Sequence, residues 1–481
     1  MITLGEAAEA TGGEWLSNPL PPETPLRGAS HDTRALGTAE IFITLRGAGA
    51  DAHDFLPMLV GSSIKLVLVE RAVSLPGFAG NILRVDDSLR ALARMGRFLV
   101  EKFRPKVVAI TGSYGKTTAK EVIAHVLEGG LRVLRTPGSH NNEIGLPLTL
   151  LDLDGSQEVA VLEFSARREG DITYLGEIAP PDIAVLLTVG RAHIGVFGSQ
   201  EAIYRAKGEI FSNLRKGGLA LVGADDPRLR ELAGQNRALS FGLSGGDYTA
   251  EDIMTDALGR QSFTGLHGET RLALQSAISG PHGAFPVLAA WAVARELGVA
   301  DQVVAERAAT VPAQKGRALT RKAPGGAIIV DDSYNASPET VINLMATLAT
   351  MEASRRILVL GHLSELEEGL GDSSRIIGGA LKPPLDGCHV LAPATPGFAE
   401  ALADAAQDVR VTGYKNRAEL MEVLRSLDTS GTVIGIKGAR SAHTERIVQE
   451  LLGNRVTCRL ETCGILKQCM DCDRIDRDES P

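Results

Sequence analysis

The segment Thr111-Gly112-Ser113-Tyr114-Gly115-Lys116-Thr117-Thr118 follows a β-rich run, Lys106 to Thr111. It precedes a helical pattern in which Val122, Ile123, Val126 and Leu127 share one face. A glycine-containing loop between a buried strand and a helix is phosphate-binding topology. Glycines let backbone N–H groups curl toward an anion, the helix N-terminus adds a positive dipole, Lys116 supplies charge and Thr117 can ligate Mg²⁺. Only Ser113 and Tyr114 separate the glycines, a shorter spacing than the general G-x-x-x-x-G-K-[ST] pattern. A glycine turn followed by a helix cap explains the glycines, but not the order strand, glycines, Lys, Thr, helix.

The chain has 481 residues, which at roughly 150 residues per domain implies about three domains. From Met1 to about Arg104, short apolar runs (Ile41 to Thr44, Leu66 to Val69, Ile82 to Val85) alternate with turns, the pattern of a small α/β domain (1–104). A central domain (105–312) continues the strand-helix alternation of a parallel sheet through Val159 to Phe164 and Ile183 to Val189. Ala327 to Val330, Ile357 to Leu360 and Val433 to Ile436 predict a second, smaller parallel sheet in a third domain (313–453), followed by a charged, cysteine-containing appendage (454–481). The fold class is therefore α/β.

The formal charge of −9 opposes binding to nucleic acid and anionic lipid. Met1 opens onto a mixed segment without a signal-peptide pattern, and no apolar stretch is long enough to span a bilayer, so the expectation is a cytoplasmic protein without membrane insertion. Four of five cysteines crowd into the tail, unlike the dispersed framework of a secreted disulfide protein.

Further candidate residues stand at strand ends. Glu163 closes a buried strand, His193 follows the next, and Lys207 lies beyond on a helical stretch; a carboxylate and an imidazole at neighbouring parallel strand ends can converge on a metal beside phosphates. Taken alone, His193 would read as a structural histidine. In the third domain Gly316-Arg317 precedes Asp331-Asp332-Ser333-Tyr334-Asn335-Ala336-Ser337-Pro338, and Lys437-Gly438-Ala439-Arg440-Ser441 follows the last strand. Near the N-terminus stands Ser30-His31-Asp32-Thr33-Arg34, whose Ser, Thr and Arg offer directional hydrogen bonds and charge, while a solvated turn explains Asp-Thr-Arg equally well when taken alone.

Together with Asn141-Asn142-Glu143-Ile144-Gly145-Leu146-Pro147-Leu148-Thr149, these strings resemble the Mur ligase family across the chain up to about residue 453. The resemblance implies the three-domain Mur ligase architecture: a UDP-sugar domain, a central P-loop ATPase domain and a C-terminal Rossmann-like domain. It implies ATP held by Gly112, Ser113, Gly115, Lys116, Thr117, Thr118, His282, Arg317 and Asp331, and Mg²⁺ held by Thr117, Glu163, His193 and Lys207, the lysine as a carbamate. Lys116, Glu163, His193 and Lys207 carry the catalytic roles. Substrate contacts fall to Ser30, Thr33, Arg34, Asn141, Asn142, Tyr334, Asn335, Lys437 and Arg440. The implied reaction joins D-alanyl-D-alanine to UDP-N-acetylmuramoyl-tripeptide through an acyl phosphate, in a cytoplasmic, monomeric enzyme of peptidoglycan precursor synthesis.

The sequence departs from the family pattern at several positions. Ser165 and Arg167 replace a glycine and an asparagine, Thr188 and Gly283 replace asparagines, His362 replaces an aspartate and Ser374 a histidine. Ser337 and Ala439 replace an asparagine and a serine. Two other readings therefore stay open: an amide ligase for a different carboxylate and amine, and a nucleotide-binding paralogue with impaired catalysis. The tail spaces Cys458, Cys463, Cys469 and Cys472 as C-x4-C-x5-C-x2-C. Four thiolates could complete a zinc or iron–sulfur site, but without a recognisable frame around them the expectation is unbound thiols.

Overall fold

The computed structural model describes all residues except 48, 191–193, 364–369, 394, 459–468, 470–471, 473–474 and 477–481. The chain folds into two compact units. One comprises Met1–Val189, Gln200–Phe241 and Ala289–Val303; the other comprises Gly190–Ser199, Gly242–Leu288 and Val304–Pro481.

The first unit opens with a five-stranded sheet of β1 (Glu14–Ser17), β2 (Ala29–Ser30), β3 (Ile41–Ile43), β4 (Leu66–Val69) and β5 (Asn81–Arg84), ordered β1-β5-β4-β3-β2. The runs in β3 and β4 are continuously apolar because both strands are buried in the middle of the sheet. Helix α1 (Ser88–Phe103), capped by Asp87 accepting from the Arg90 N–H, leads out of this sheet. Gly96 on α1 lets Pro147 of the next layer come within van der Waals reach, so the small sheet's exit helix packs against the central region.

The rest of this unit is built on β6 (Lys106–Thr111), β7 (Val133–Arg135), β8 (Val159–Glu163), β9 (Ile183–Leu186), β10 (Leu219–Gly223) and β11 (Arg237–Gly242), in the order β11-β10-β9-β6-β8-β7. Every pairing among these six is parallel. Helices α2 (Lys116–Leu127), α3 (Gly145–Leu150), α4 (Asp171–Ile178) and α5 (Gln200–Gly208) connect them. With β6 central, the chain reverses direction across the sheet at the C-terminal ends of β6, β8 and β9, which is where open α/β sheets bind ligands.

The second unit begins with an antiparallel ribbon, β12 (Tyr248–Thr255), β13 (Arg260–His267) and β14 (Thr270–Ser279). In the sequence, the strand-helix alternation of the central domain is legible as far as Val189, and no strand is predicted in this stretch. The ribbon escapes that reading because its strands are polar and largely exposed on one side, and a bulge between Glu251 and Met254, with Asp252 at φ 54°, breaks the alternation. A six-stranded sheet follows: β15 (Leu319–Lys322), β16 (Ile328–Asp332), β17 (Arg355–Leu360), β18 (Gly387–Val390), β19 (Val411–Gly413) and β20 (Thr432–Lys437), ordered β15-β16-β20-β17-β18-β19. Only β15 runs antiparallel.

Its two faces are buried by separate clusters. One contains Val341, Leu344 and Leu348 of α6 (Pro338–Thr350), the other Ile447, Val448 and Leu451 of α7 (Glu445–Leu451). The tail adds a short antiparallel pair, β21 (Arg455–Val456) with β22 (Ile475–Asp476), a frame that the cysteine spacing alone did not disclose. Among the described residues no helix is long and apolar enough to cross a membrane.

Candidate active site

In the first unit the candidate phosphate-binding loop is shaped by close backbone approach. Gly112 has φ 156°, and a Cβ there would meet Leu187 Cβ and the Thr188 backbone at 3.2 Å, so the loop after β6 can lie against the end of β9 only as glycine. The Ser113 N–H donates to the Thr188 carbonyl at 2.8 Å and the Thr188 hydroxyl to the Tyr114 carbonyl at 3.3 Å. Thr188 thus braces the loop in place of an asparagine. Gly115 precedes α2 without a side-chain cap, which leaves the helix end fit for an anion. Lys116 bends back over the loop, its Nζ donating to the carbonyls of Gly112 at 2.7 Å and Ser113 at 3.2 Å.

Glu163, 1% exposed at the end of β8, is the centre of the constellation. Its Oε2 accepts from the Thr117 hydroxyl at 2.8 Å and its Oε1 from the Asn141 amide at 2.7 Å. Both donors are neutral, so the carboxylate is oriented without being neutralised. The loop that delivers Asn141 is held by Lys120, which is fully buried and donates to the carbonyls of Thr136 at 2.6 Å and Gly138 at 3.0 Å. Sequence reasoning passed over Lys120; its signal was a lysine on the apolar face of α2, one turn after Lys116. Asn142 caps the start of α3 through the Gly145 N–H at 2.9 Å, and Thr118 sits half-buried on α2.

Lys207, on α5, is buried. Desolvation first, and then the Lys116 charge, push its pKa down to about 7. His193 lies outside the described residues. Ser165 donates its N–H to the Asn141 carbonyl at 2.9 Å, while the N–H groups of Arg167 and Arg168 donate to Asp171 at the start of α4. The exposed Arg168 guanidinium also pairs with Asp171 at 3.0 Å.

At the N-terminal sheet, Ser30, Thr33 and Arg34 share one turn. The Ser30 hydroxyl lies 3.1 Å from the carbonyls of Asp32 and Ala35. The exposed Arg34 grips the Asp32 carboxylate through Nε at 2.9 Å and Nη2 at 2.7 Å, which brings the Asp32 pKa down to about 2.

In the second unit Arg317, Asp331, Tyr334, Lys437 and Arg440 gather at the ends of β16 and β20. The Arg317 guanidinium lies 4.1 Å from the Tyr334 ring centroid and that of Arg440 lies 6.0 Å from it. Lys437, 3% exposed, pairs with Asp332. Asp331 is fully buried. One carboxylate oxygen accepts from Arg321 at 2.9 Å and the other from the Ser333 hydroxyl at 2.6 Å, so it organises the segment from within. Burial raises its pKa. Arg321 was not a candidate, because its role depends on the antiparallel pairing of β15 with β16. Asn335 and His282 are exposed.

Several departures acquire local reasons. A Cβ at Gly283 would stand 2.5 Å from the Ile278 carbonyl, so the ribbon's end has no room for an asparagine. Ser337, like asparagine a helix-capping residue, closes the start of α6 with its N–H bonded to Thr340 Oγ1 at 2.9 Å. His362 Nε2 lies 2.7 Å from the Ser441 hydroxyl, and its carbonyl accepts from Ala439 N–H at 2.8 Å, tying the altered segments together. Ser374 is buried, and its hydroxyl has no partner among the described residues; nothing in the structure explains this choice.

The chain matches two family models: residues 110–294 fit the Mur ligase middle domain, and residues 316–440 fit the model described as Mur ligase, glutamate ligase domain. It is 30% identical over 453 residues to a UDP-N-acetylmuramoyl-tripeptide--D-alanyl-D-alanine ligase of Bacillus subtilis, covering 94% of this chain and 98% of the relative. The corresponding Escherichia coli protein is 29% identical, with 94% and 99% covered. Among solved structures, MurF from Acinetobacter baumannii aligns with a TM-score of 0.85 and 29% identity, covering 94% of this chain and 99% of that one. A MurF ligase from Thermotoga maritima, in complex with ADP, gives 0.78 at 29% identity, covering 89% and 97%.

Proposed function

The chain belongs to the Mur ligase family, and on that premise we propose that it joins D-alanyl-D-alanine to UDP-N-acetylmuramoyl-tripeptide with cleavage of ATP to ADP and phosphate. The observation that carries the reading is Glu163, buried beside the Lys116 loop and held by Thr117 and Asn141 without a neutralising partner in those bonds. The relatives' names supply the substrates, and a cytoplasmic, monomeric enzyme of peptidoglycan precursor synthesis is proposed from the family resemblance.

Thr117 and Glu163 offer hard oxygen donors, which fit Mg²⁺. With His193 they would hold one ion, and Lys207, as a carbamate, a second. Bound Mg²⁺ would neutralise charge on the phosphates. A near-neutral Lys207 is suited to that modification, because only an uncharged amine adds carbon dioxide.

Lys116 would leave the Gly112 and Ser113 carbonyls and turn to the phosphates, stabilising charge as the γ-phosphoryl group passes to the tripeptide's terminal carboxylate. The resulting acyl phosphate gives the carboxyl carbon a good leaving group. The amine of D-alanyl-D-alanine attacks that carbon, loses a proton and expels phosphate. Tyr334, Lys437 and Arg440 would line the amine's site, with Lys437 fixed by Asp332, and Arg317, set over the Tyr334 ring, would help to hold ATP. Ser30, Thr33 and Arg34 would receive the UDP moiety.

The test mixes the purified chain with Mg-ATP, the UDP-tripeptide and D-alanyl-D-alanine, omitting each in turn while phosphate release and product mass are followed. The pentapeptide product should form only in the complete mixture. Lys116→Ala should lower kcat/KM about 10³-fold or more. Full ligation by that variant would remove the proposed phosphate role; nucleotide binding without product would point to a different carboxylate or amine.

A further inference from the structure

The tail carries chemistry that ligation does not use. The β21–β22 pair closes the tail segment, and β21 lies against α7. Cys469, within that segment, is buried beside the start of α7: its Sγ is 3.4 Å from Nδ1 of His443, and its backbone N–H donates to Oε1 of Glu445 at 3.3 Å. His443 Nδ1 and Glu445 Oε1 are 3.8 Å apart. One ligand atom from each of the three lies within 4.8 Å of the other two.

Tetrahedral zinc, bonded to sulfur at about 2.3 Å and to nitrogen or oxygen at about 2.0–2.2 Å, has ligand-to-ligand edges of roughly 3.4–3.6 Å. The two measured edges lie close to that range. Independently, Glu445 is 5% exposed and its Oε2 has no hydrogen-bond partner among the described residues. A dry carboxylate oxygen is costly unless something cationic completes it. The Arg446 Nε–H donates to Cys469 Sγ at 3.2 Å and leaves sulfur lone pairs for a cation, which would displace the thiol proton that burial and the Glu445 charge retain.

We propose that His443, Glu445 and Cys469 form a structural Zn²⁺ site that fastens the tail to the C-terminal domain. The mixed sulfur, nitrogen and oxygen set suits zinc rather than Mg²⁺ or Ca²⁺. A fourth position remains for water or another tail thiol; Cys463 lies outside the described residues. His443 directly follows the Arg440–Ala442 turn, so metal binding would also fix the backbone that presents Arg440 near Tyr334 and Ser441 to His362. The cysteine spacing concealed this site because two of its ligands come from outside the tail.

The test uses the full chain, stripped with a chelator, kept reduced, and loaded with Zn²⁺ in the absence of nucleotide and Mg²⁺. One zinc per chain should survive desalting in the wild type and in Lys116→Ala, and less than about a tenth of that in Cys469→Ser. Loading with Co²⁺ should give thiolate-to-metal charge-transfer absorption that Cys469→Ser lacks. Should that variant fail to fold, His443→Gln serves instead and should weaken zinc binding about 100-fold or more. A wild-type chain that retains no zinc, or folded variants that retain one equivalent with unchanged affinity, would overturn the proposal.

Discussion

Glu163 and Asp332 are both carboxylates at the C-terminal ends of parallel strands, yet they are completed in opposite ways. Glu163 is held by a hydroxyl and an amide; Asp332 is paired with the buried ammonium of Lys437. Neutral donors fix a carboxylate's direction and leave its charge for a ligand, whereas an ion pair spends that charge inside the protein. The difference separates the proposed cation centre from a scaffold that holds a loop. The neighbouring Asp331 belongs to the second kind, bound to Arg321 and Ser333.

The sharpest way to break this comparison is to neutralise each carboxylate isosterically. Glu163→Gln should lower kcat about 10²–10³-fold with little change in Tm, because an amide keeps one hydrogen bond but not the charge. Asp332→Asn should act in the reverse sense, destabilising the fold by about 3–5 kcal/mol as Lys437 loses its buried partner. Denaturant unfolding beside steady-state kinetics decides between them. A Glu163→Gln chain that ligates normally, or an Asp332→Asn chain with unchanged stability, would erase the distinction.

A smaller effect concerns Gly283. Gly283→Asn should cost about 1–3 kcal/mol and should not improve nucleotide affinity, because the Ile278 carbonyl occupies the space. Thermal melting and nucleotide titration check both halves.

The third test is a pH slope. Lys207 has a folded pKa of about 7 against 10.5 unfolded, so the unfolded chain binds the extra proton between those values. Burial of the ammonium therefore penalises folding fully below about pH 7, and stability rises by up to about 1.4 kcal/mol per pH unit toward 10.5, where the penalty has gone. Lys207→Met should flatten that part of the curve, measured by unfolding in carbonate-free buffer without nucleotide. An unchanged slope would assign the pH dependence elsewhere.

The strands that organise the proposed site were legible because they are buried on both faces. Lys106–Thr111 was read without error, and Val159–Phe164 and Ile183–Val189 were each read slightly long. The ribbon from Tyr248 to Ser279 was not, since its exposed polar faces weaken the apolar signal. Among site residues, Lys116 and Thr117 were legible from local order, Glu163 from its place at a strand end and Asn141 only through the family resemblance; the structure brings the last three into one hydrogen-bonded set. Lys120 and Arg321 were not, because each acts on a partner supplied by another element.

The amino-acid order alone determined where glycines permit a tight phosphate loop, which runs are apolar enough to be central strands, and which polar residues stand at their ends. Those properties depend on neighbours along the chain. Tertiary structure alone decided that Asp331 faces Arg321, that Lys437 is matched by Asp332, that Lys207 is desolvated to a pKa near 7, and that Cys469 reaches His443 and Glu445. Charge pairing and desolvation depend on distance through space, and distance through space is set only when the sheets and helices have packed.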